Sequence, residues 1–394
     1  MKNNDHNNNH VPNPFVPQHP AQPEFFADRE KHLEEFRESV INAAKMSLPL
    51  PLNYAILGSW GDGKTSLMYK FREIALKEFG DAVKTVCIYL ALSPQACRSW
   101  ETFADSLLSE TEAIIETNTT LSERVKKEFK NWSVGLNLGI VSAQRTSSPK
   151  RLNLTNELQH LWEKVLKPSG VQLAFIMLDD LHYFPISKDD SAFLNLRATF
   201  QELVNRKCNY SLVVTAPSLL LPQIAEIAEP LLRFFKRLEL SPFSFAEVRE
   251  SIEVRLKAIH NAISVDDEVI EAITEKTKGH PYLVMFVMHE LLKHTTKSHQ
   301  ISEKHFYEVW PEIVKELEKV VFSGRFQFAS PRERDLMIAI SKQSESLVSP
   351  SDFKNFKGAT ELFSRLERKE LLVRRERGKY CLFHPLFVEF LKRQ

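Results

Sequence analysis

The nine residues Gly58-Ser59-Trp60-Gly61-Asp62-Gly63-Lys64-Thr65-Ser66 carry the clearest chemistry in the chain. Their spacing, Gly, four residues, then Gly-Lys-Thr, is that of a phosphate-binding loop, and it follows the apolar run Tyr54-Ala55-Ile56-Leu57 directly. Glycines let the backbone form a nest whose N–H groups point at phosphate oxygens, and the next helix adds its positive N-terminal end. Lys64 would reach the β- and γ-phosphates, and the Thr65 hydroxyl would ligate Mg²⁺. The bland reading is a glycine-rich turn ahead of a helix, but strand, loop and helix all fall where the motif demands.

A second stretch completes the chemistry. Val171 to Asp180, VQLAFIMLDD, is an apolar strand ending in two carboxylates. After a phosphate loop this is the Walker B pattern, with Asp179 holding Mg²⁺ through water and Asp180 where a carboxylate orients the attacking water. Alone such a strand end is weak evidence, since strand ends are often polar. One intervening strand after the loop, it becomes strong.

The elements that must position these residues follow from periodicity. Lys64 to Phe79 is helical and stops at Gly80. Val83 to Leu92, Tyr210 to Thr215 and Leu238 to Leu240 read as further buried strands, with helices at about 98–117, 119–131, 187–205 and 219–228 between them. Upstream, Asp28 is an N-cap candidate for the amphipathic helix Lys31 to Ala44. Trp132 to Val141 alternates as a strand or hairpin with no assigned role, and Gln144 to Arg151 reads as a loop. Five buried strands alternating with helices predict an α/β fold: a doubly wound parallel P-loop core over residues 25–241, with nucleotide at the C-terminal strand ends.

From Ser241 the pattern turns helical. Ser244 to Glu247 is a capping box, and helices are expected near 265–277, 281–296 and 302–318, forming a lid (242–322) over the nucleotide base. Three helices at about 331–343, 350–355 and 358–370, then strands Leu371 to Arg375 and Lys379 to Phe383, predict a winged-helix domain (323–394). Such domains commonly set their third helix in a DNA major groove. Arg365, Arg368 and Lys369 on that helix, with Arg374, Arg375, Arg377 and Lys379 on the wing, could contact phosphates. Glu361, Glu367, Glu370 and Glu376 dilute that field, and winged helices also dock proteins, so both readings stand.

Composition sets outer bounds. The 394 residues exceed one domain, and the net charge of +1 announces neither nucleic acid nor an anionic membrane. Cys87, Cys97, Cys208 and Cys381 form no CxxC pair, which argues against a zinc site or disulfide framework. No apolar run reaches the roughly 18 residues of a membrane span, so a soluble, cytoplasmic protein without membrane partners is expected. The first 24 residues hold six Asn and five Pro and read as a disordered tail, part of which could dock as an arm.

With both phosphate-site motifs, the lid and the winged helix placed, residues 25–394 resemble the AAA+/STAND branch of P-loop ATPases, and most of all prokaryotic and archaeal ATPases related to origin-recognition initiators. The resemblance implies that Arg29, in Arg29-Glu30, contributes to an adenine pocket. It implies that His280 and Pro281, in Gly279-His280-Pro281-Tyr282-Leu283, stand at the nucleotide, and that Thr215 lies where related ATPases carry a γ-phosphate sensor. Arg233 would be a finger on a neighbouring subunit's nucleotide, the bland alternative being a solvated arginine. The loop with Trp60 looks like that of the KAP group, and Asp179-Asp180 with the Gly-x-Pro lid leans toward STAND members. Two departures matter: the lid lacks the usual γ-phosphate-sensing arginine, and Asp180 is shorter than the usual Glu. The second implies slow hydrolysis, and both imply a nucleotide switch more than a processive motor.

The expectation is therefore an ATP- and Mg²⁺-dependent switch. ATP binding would fix the winged helix and favour a homo-oligomer, and hydrolysis to ADP would release it. In one reading the closed form assembles on duplex DNA; in the other it recruits a protein effector in signalling or defence. A P-loop kinase of small molecules explains neither lid nor winged helix.

Overall fold

The computed structural model describes residues 12–27, 29–45, 52–79, 82–117, 127, 153–184, 192–220, 223–224, 233–295 and 300–394. The Asp28 cap, the Gly80 stop, the 132–141 strand or hairpin, the 144–151 loop, nearly all of the 119–131 helix and most of the 219–228 helix lie outside them. The chain divides into two compact units, one of residues 22–58 and 63–240, the other of 1–21, 59–62 and 241–394.

The first unit is the expected parallel sheet. Its strands β1 (Tyr54–Leu57), β2 (Thr85–Ala91), β3 (Leu173–Asp179), β4 (Tyr210–Ala216) and β5 (Lys236–Glu239) run in the order β2-β3-β4-β1-β5. Every residue of β1, β3 and β4 is buried, as strands covered on both faces require, whereas edge strand β5 is only partly buried. Alternation sorts their side chains onto two cores. Ala55, Leu57, Ala174, Ile176 and Leu178 face helices α3 (Trp100–Thr117), α4 (Leu154–Leu161) and α5 (Ala192–Asn205). Tyr54, Ile56, Leu173, Phe175 and Met177 face α1 (Glu30–Lys45) and α2 (Lys64–Glu73). On that side Phe36 stacks on Phe71 with centroids 4.0 Å apart, fixing α2, and hence the phosphate loop ahead of it, against α1. Truncating Phe71 to Ala would cost about 3–5 kcal/mol by the usual cavity penalty. The loop leaves the C-terminal end of β1, where the strand order reverses between β4 and β5.

The second unit joins helices and winged helix. The lid helices are α6 (Phe245–Ala258), α7 (Asp267–Thr277), α8 (Pro281–Lys293) and α9 (Glu303–Leu317). Ser244 and Glu247 cap α6 reciprocally, as their spacing predicts. A two-residue parallel ladder, Ser264–Val265 with Gln300–Ile301, was not legible in the sequence. Part of the N-terminal stretch is an ordered arm: Phe15 is 0% exposed in the lid core, held by Asn13 Nδ2 donating to the His289 carbonyl at 2.9 Å. The expectation of a disordered tail thus does not extend to these residues, because an aromatic anchor outweighs the polar composition around it.

The winged helix consists of α11 (Pro331–Ser341), a 3₁₀ turn (Pro350–Phe353), α12 (Ala359–Arg368), an antiparallel wing (Leu372–Glu376 with Lys379–Leu382) and α13 (Pro385–Lys392). From α9 the helix continues through a π turn, Glu318–Phe322, directly into α10, Ser323–Phe328, and the extended residues Ala329 and Ser330 then lead into α11. Leu283 and Phe286 of α8 belong to the winged-helix core, so lid and winged helix share apolar packing.

Candidate nucleotide site

On the sheet side, the site grows from a fixed α2 start. Gly63 adopts φ +90° ahead of Lys64, a left-handed conformation that glycine takes without strain and that turns the chain into the helix. Lys64 Nζ donates to the Gly58 carbonyl at 3.0 Å, folding the lysine back across its loop. The Thr65 hydroxyl donates to Asp179 Oδ1 at 3.2 Å, so the two expected metal-binding groups are brought together. Thr215, at the end of β4, also donates to Asp179 Oδ1 and accepts the Asp180 N–H at 2.9 Å. Asp179 is only 5% exposed, and Tyr89 on β2 donates to its second oxygen, Oδ2, at 3.0 Å. Burial, the Tyr69 hydroxyl and the Asp179 charge all push the Tyr89 phenol upward, keeping it a donor.

Asp180 behaves differently. It takes φ +65°, rare for a residue other than glycine, just before a 3₁₀ turn (Leu181–Tyr183). Its carboxyl is partly exposed, with His182 Nδ1 3.7 Å away. Burial first, then the neighbouring Asp179 charge, raise its pKa. One carboxylate is thus pinned by hydroxyls while the next is turned out at a strained backbone position, the arrangement expected where strain serves function.

The tip of the loop, Ser59–Asp62, belongs with the helical unit. Asp62 closes it by accepting the Ser59 N–H at 2.5 Å. His280 Nε2 lies 3.0 Å from the Trp60 carbonyl, which can only accept, so Nε2 carries the proton. The Tyr282 N–H donates to the Gly61 carbonyl at 3.2 Å. Gly61 has φ +79°, and a Cβ there would lie 2.6 Å from His280 Cε1, so only glycine fits. The Trp60 ring packs on Tyr282 with centroids 4.4 Å apart, and the Arg325 guanidinium lies 4.8 Å from the Trp60 centroid and 4.4 Å from that of Phe383.

The expected residues therefore separate. Lys64, Thr65, Asp179 and Thr215 converge, with Asp180 at the next position. Gly58 and Gly63 shape the loop, and Ser66 lies in the first turn of α2. Arg29 is buried at the head of α1 with φ +69°, its carbonyl accepting from His32 and Leu33. Pro281 is buried at the first position of α8. His280, expected at the nucleotide, is committed to the loop carbonyl; burial first, then His384, drive its pKa down to about 3, so it is neutral. Arg233 is exposed ahead of the N-terminal end of β5, whereas the loop follows the C-terminal end of the parallel β1, so it stands away from Asp179 of its own chain. Sequence reasoning missed Tyr89 and Arg325. Tyr89 lies inside its apolar strand, two residues before the end, and Arg325 carries no local signal.

The winged-helix cations are unevenly available. Lys369 is paired at 2.6 Å with Glu333, whose side chain is 1% exposed, and Arg365 pairs with Glu361 at 2.5 Å. Arg368, Arg374, Arg375 and Arg377 are exposed, Arg374 near the Tyr380 ring.

No family model and no curated protein matches the chain. Solved structures do. The Walker-type ATPase of Pyrococcus abyssi is 16% identical, with 96% of this chain and 99% of that one covered at a TM-score of 0.62. The ORC2 protein of Aeropyrum pernix, in its ADPNP–ADP complexes, is 12% identical with 96% of each chain covered and a TM-score of 0.59. The likeness is one of fold, and it spans nearly the whole of each chain. It bears out the α/β P-loop architecture and the resemblance to origin-recognition-related ATPases at that level.

Proposed function

We propose that the chain is an ATPase switch: it binds ATP with Mg²⁺ on the phosphate loop, hydrolyses it slowly, and passes the nucleotide state to its winged helix. The observation that carries this reading is the convergence, within the sheet unit, of Lys64, Thr65, Asp179 and Thr215: the Thr65 and Thr215 hydroxyls both donate to Asp179 Oδ1, directly beside the loop lysine. Within the helical unit, Trp60 and Gly61 are held by His280, Tyr282 and Arg325. The ADPNP–ADP complexes of the structurally similar ORC2 protein support nucleotide as the ligand.

The residues fit Mg²⁺. Thr65 and Asp179 offer hard oxygens 3.2 Å apart, the donor type that Mg²⁺ takes. When bound, Mg²⁺ neutralises charge on the phosphates. The rest falls to the chain. Lys64 exchanges the Gly58 carbonyl for phosphate oxygens, loop N–H groups hold the phosphates, and Asp180 orients water. Thr215 aligns Asp179 and the Asp180 backbone. Arg233 acts on the nucleotide of a neighbouring copy in a homo-oligomer. Lys64→Ala should abolish nucleotide binding measured by calorimetry; normal binding would sink the assignment.

For the output, the exposed arginines of wing and third helix favour duplex DNA, with phosphate contacts of no sequence preference. The pairing of Lys369 with Glu333 and of Arg365 with Glu361 favours the second reading, a protein effector docked on the same module. A mobility shift with duplex DNA at low salt, with and without ATP, separates them. Retardation that depends on ATP supports DNA; none at all favours the effector. No helix among the described residues is long and apolar enough to cross a membrane.

A further inference from the structure

The buried carboxylate at the end of β3 has three hydroxyl donors, and one of them, Tyr89, belongs to none of the motifs that define a phosphate site. In the register of the sheet, Ala91 lies beside Asp179 and Tyr89 beside Met177, two residues back along the neighbouring strand. Side chains two apart share a face and stand about 6.6 Å apart along a strand. A phenol is long enough to cross that diagonal, and the Tyr89 hydroxyl does so, donating to Asp179 Oδ2 at 3.0 Å. Beyond it, the Tyr69 hydroxyl on α2 lies 3.5 Å from the Tyr89 oxygen, with the two rings edge-to-face at 5.5 Å. Thr65 and Thr215 both address Oδ1, so Tyr89 supplies the third donor, on the other oxygen.

Two donors on one oxygen restrain rotation about the Cβ–Cγ bond from one side of the carboxylate only. A third on the other oxygen fixes the plane of the group. We propose that Tyr89 is a positioning residue for the metal-binding carboxylate: it sets the orientation in which Asp179 holds Mg²⁺, with Tyr69 linking that orientation to the phosphate-loop helix. This rests on the reading of Asp179 as the Mg²⁺-holding residue. Second-layer donors of this kind orient metal ligands, and their loss typically lowers metal affinity or activity about 10- to 100-fold.

The test is Tyr89→Phe, which removes one oxygen and keeps the ring. A fluorescent ATP analogue is titrated onto the protein in EDTA and across a Mg²⁺ series, and the Mg²⁺ concentration for half-maximal turnover is read in parallel. Affinity in EDTA should match wild type, while the Mg²⁺ midpoints of both binding and turnover should rise about 10- to 100-fold. Tyr69→Phe, which leaves the Asp179 bond intact, should give a smaller rise in the same direction; it also serves if Tyr89→Phe fails to fold. A folded Tyr89→Phe protein with wild-type Mg²⁺ midpoints, or affinity lost equally with and without Mg²⁺, would overturn the proposal. Failure of the underlying reading is visible separately in the unmutated protein, as nucleotide binding indifferent to Mg²⁺, and it would overturn both.

Discussion

The guanidinium of Arg325 lies between two rings, 4.8 Å from the centroid of Trp60 at the tip of the phosphate loop and 4.4 Å from that of Phe383 at the end of the wing. Its Nη2 donates to the Glu370 carbonyl, just past the third helix of the winged helix, at 2.7 Å. Burial brings its pKa down to about 10, so it keeps its charge at neutral pH. One cation thus ties the loop tip to both parts of the winged helix that would meet a partner.

Arg325→Ala should therefore separate nucleotide binding from its consequence. Nucleotide affinity should remain close to wild type, because Lys64, Thr65 and Asp179 are untouched. The ATP-dependent change in protease sensitivity of the winged helix should disappear. Loss of two partly desolvated cation–π contacts should also lower stability by about 1–4 kcal/mol. If the proteolysis pattern still responds to ATP as in wild type, Arg325 is not the connection.

Asp180→Asn should leave nucleotide binding intact, since the pinned carboxylate is Asp179. Turnover should fall about 10²- to 10⁴-fold, the usual scale for a group that handles a proton in the transition state, and the ATP-bound form should accumulate. Single-turnover measurement with labelled ATP checks this. Unchanged hydrolysis would remove Asp180 from the mechanism.

Gly279 gives a prediction of stability alone. It sits at φ +68°, and an added Cβ would fall 1.9 Å from the Phe243 carbonyl oxygen, a backbone atom that cannot swing aside. The Phe243 N–H meanwhile donates to the Gly279 carbonyl at 2.7 Å. Left-handed strain costs roughly 1–2 kcal/mol and the forced separation of the two backbones adds to it. Gly279→Ala should show a loss of at least that size in urea denaturation. Gly63→Ala, at φ +90° but with open space around it, should cost only the strain.

What the sequence shows and what it hides divide along physical lines. The phosphate loop, the Asp179 strand end and the five strands of the sheet are legible because each rests on local spacing or apolar periodicity. Thr65 and Asp179 could be grouped in advance for the same reason, and Thr215 joined them through the resemblance. Tyr89 and Arg325 act across strand register and across 265 positions of chain from Trp60 to Arg325, distances that no local pattern encodes. Phe15 was hidden by its polar neighbours. His280 was placed near the nucleotide by resemblance, whereas its observed partner is the loop backbone itself, a choice set by the fit of the lid around Gly61.

The same histidine, together with His384, makes acid stability a test of the helical unit. His384 Nε2 donates to the Thr277 carbonyl at 2.9 Å and its Nδ1 accepts the Leu386 N–H at 3.1 Å, so both nitrogens are used only in the neutral form. Burial drives its pKa down to about 4, and the hydrogen bond to Thr277 offsets this only in part. His280, its ring centroid 6.2 Å away, is down at about 3. In the unfolded chain both titrate near 6.5. Between 6.5 and the folded values the unfolded chain binds more protons, so the contribution of each is complete above pH 6.5 and is lost as pH falls. The slope is about 1.4 kcal/mol per pH unit for each histidine, or roughly 2 kcal/mol apiece between pH 6.5 and 5. Urea midpoints should accordingly be level from pH 8 to 7 and fall steeply from 6.5 to 5. His384→Asn keeps an acceptor at the start of α13 but cannot titrate. Its stability at pH 7.5 should be lower, through loss of the donor to Thr277, while its fall between pH 6.5 and 5 should be about half that of wild type. A variant that loses as much stability over that interval as the unmutated protein would show that His384 is not the acid-sensitive group.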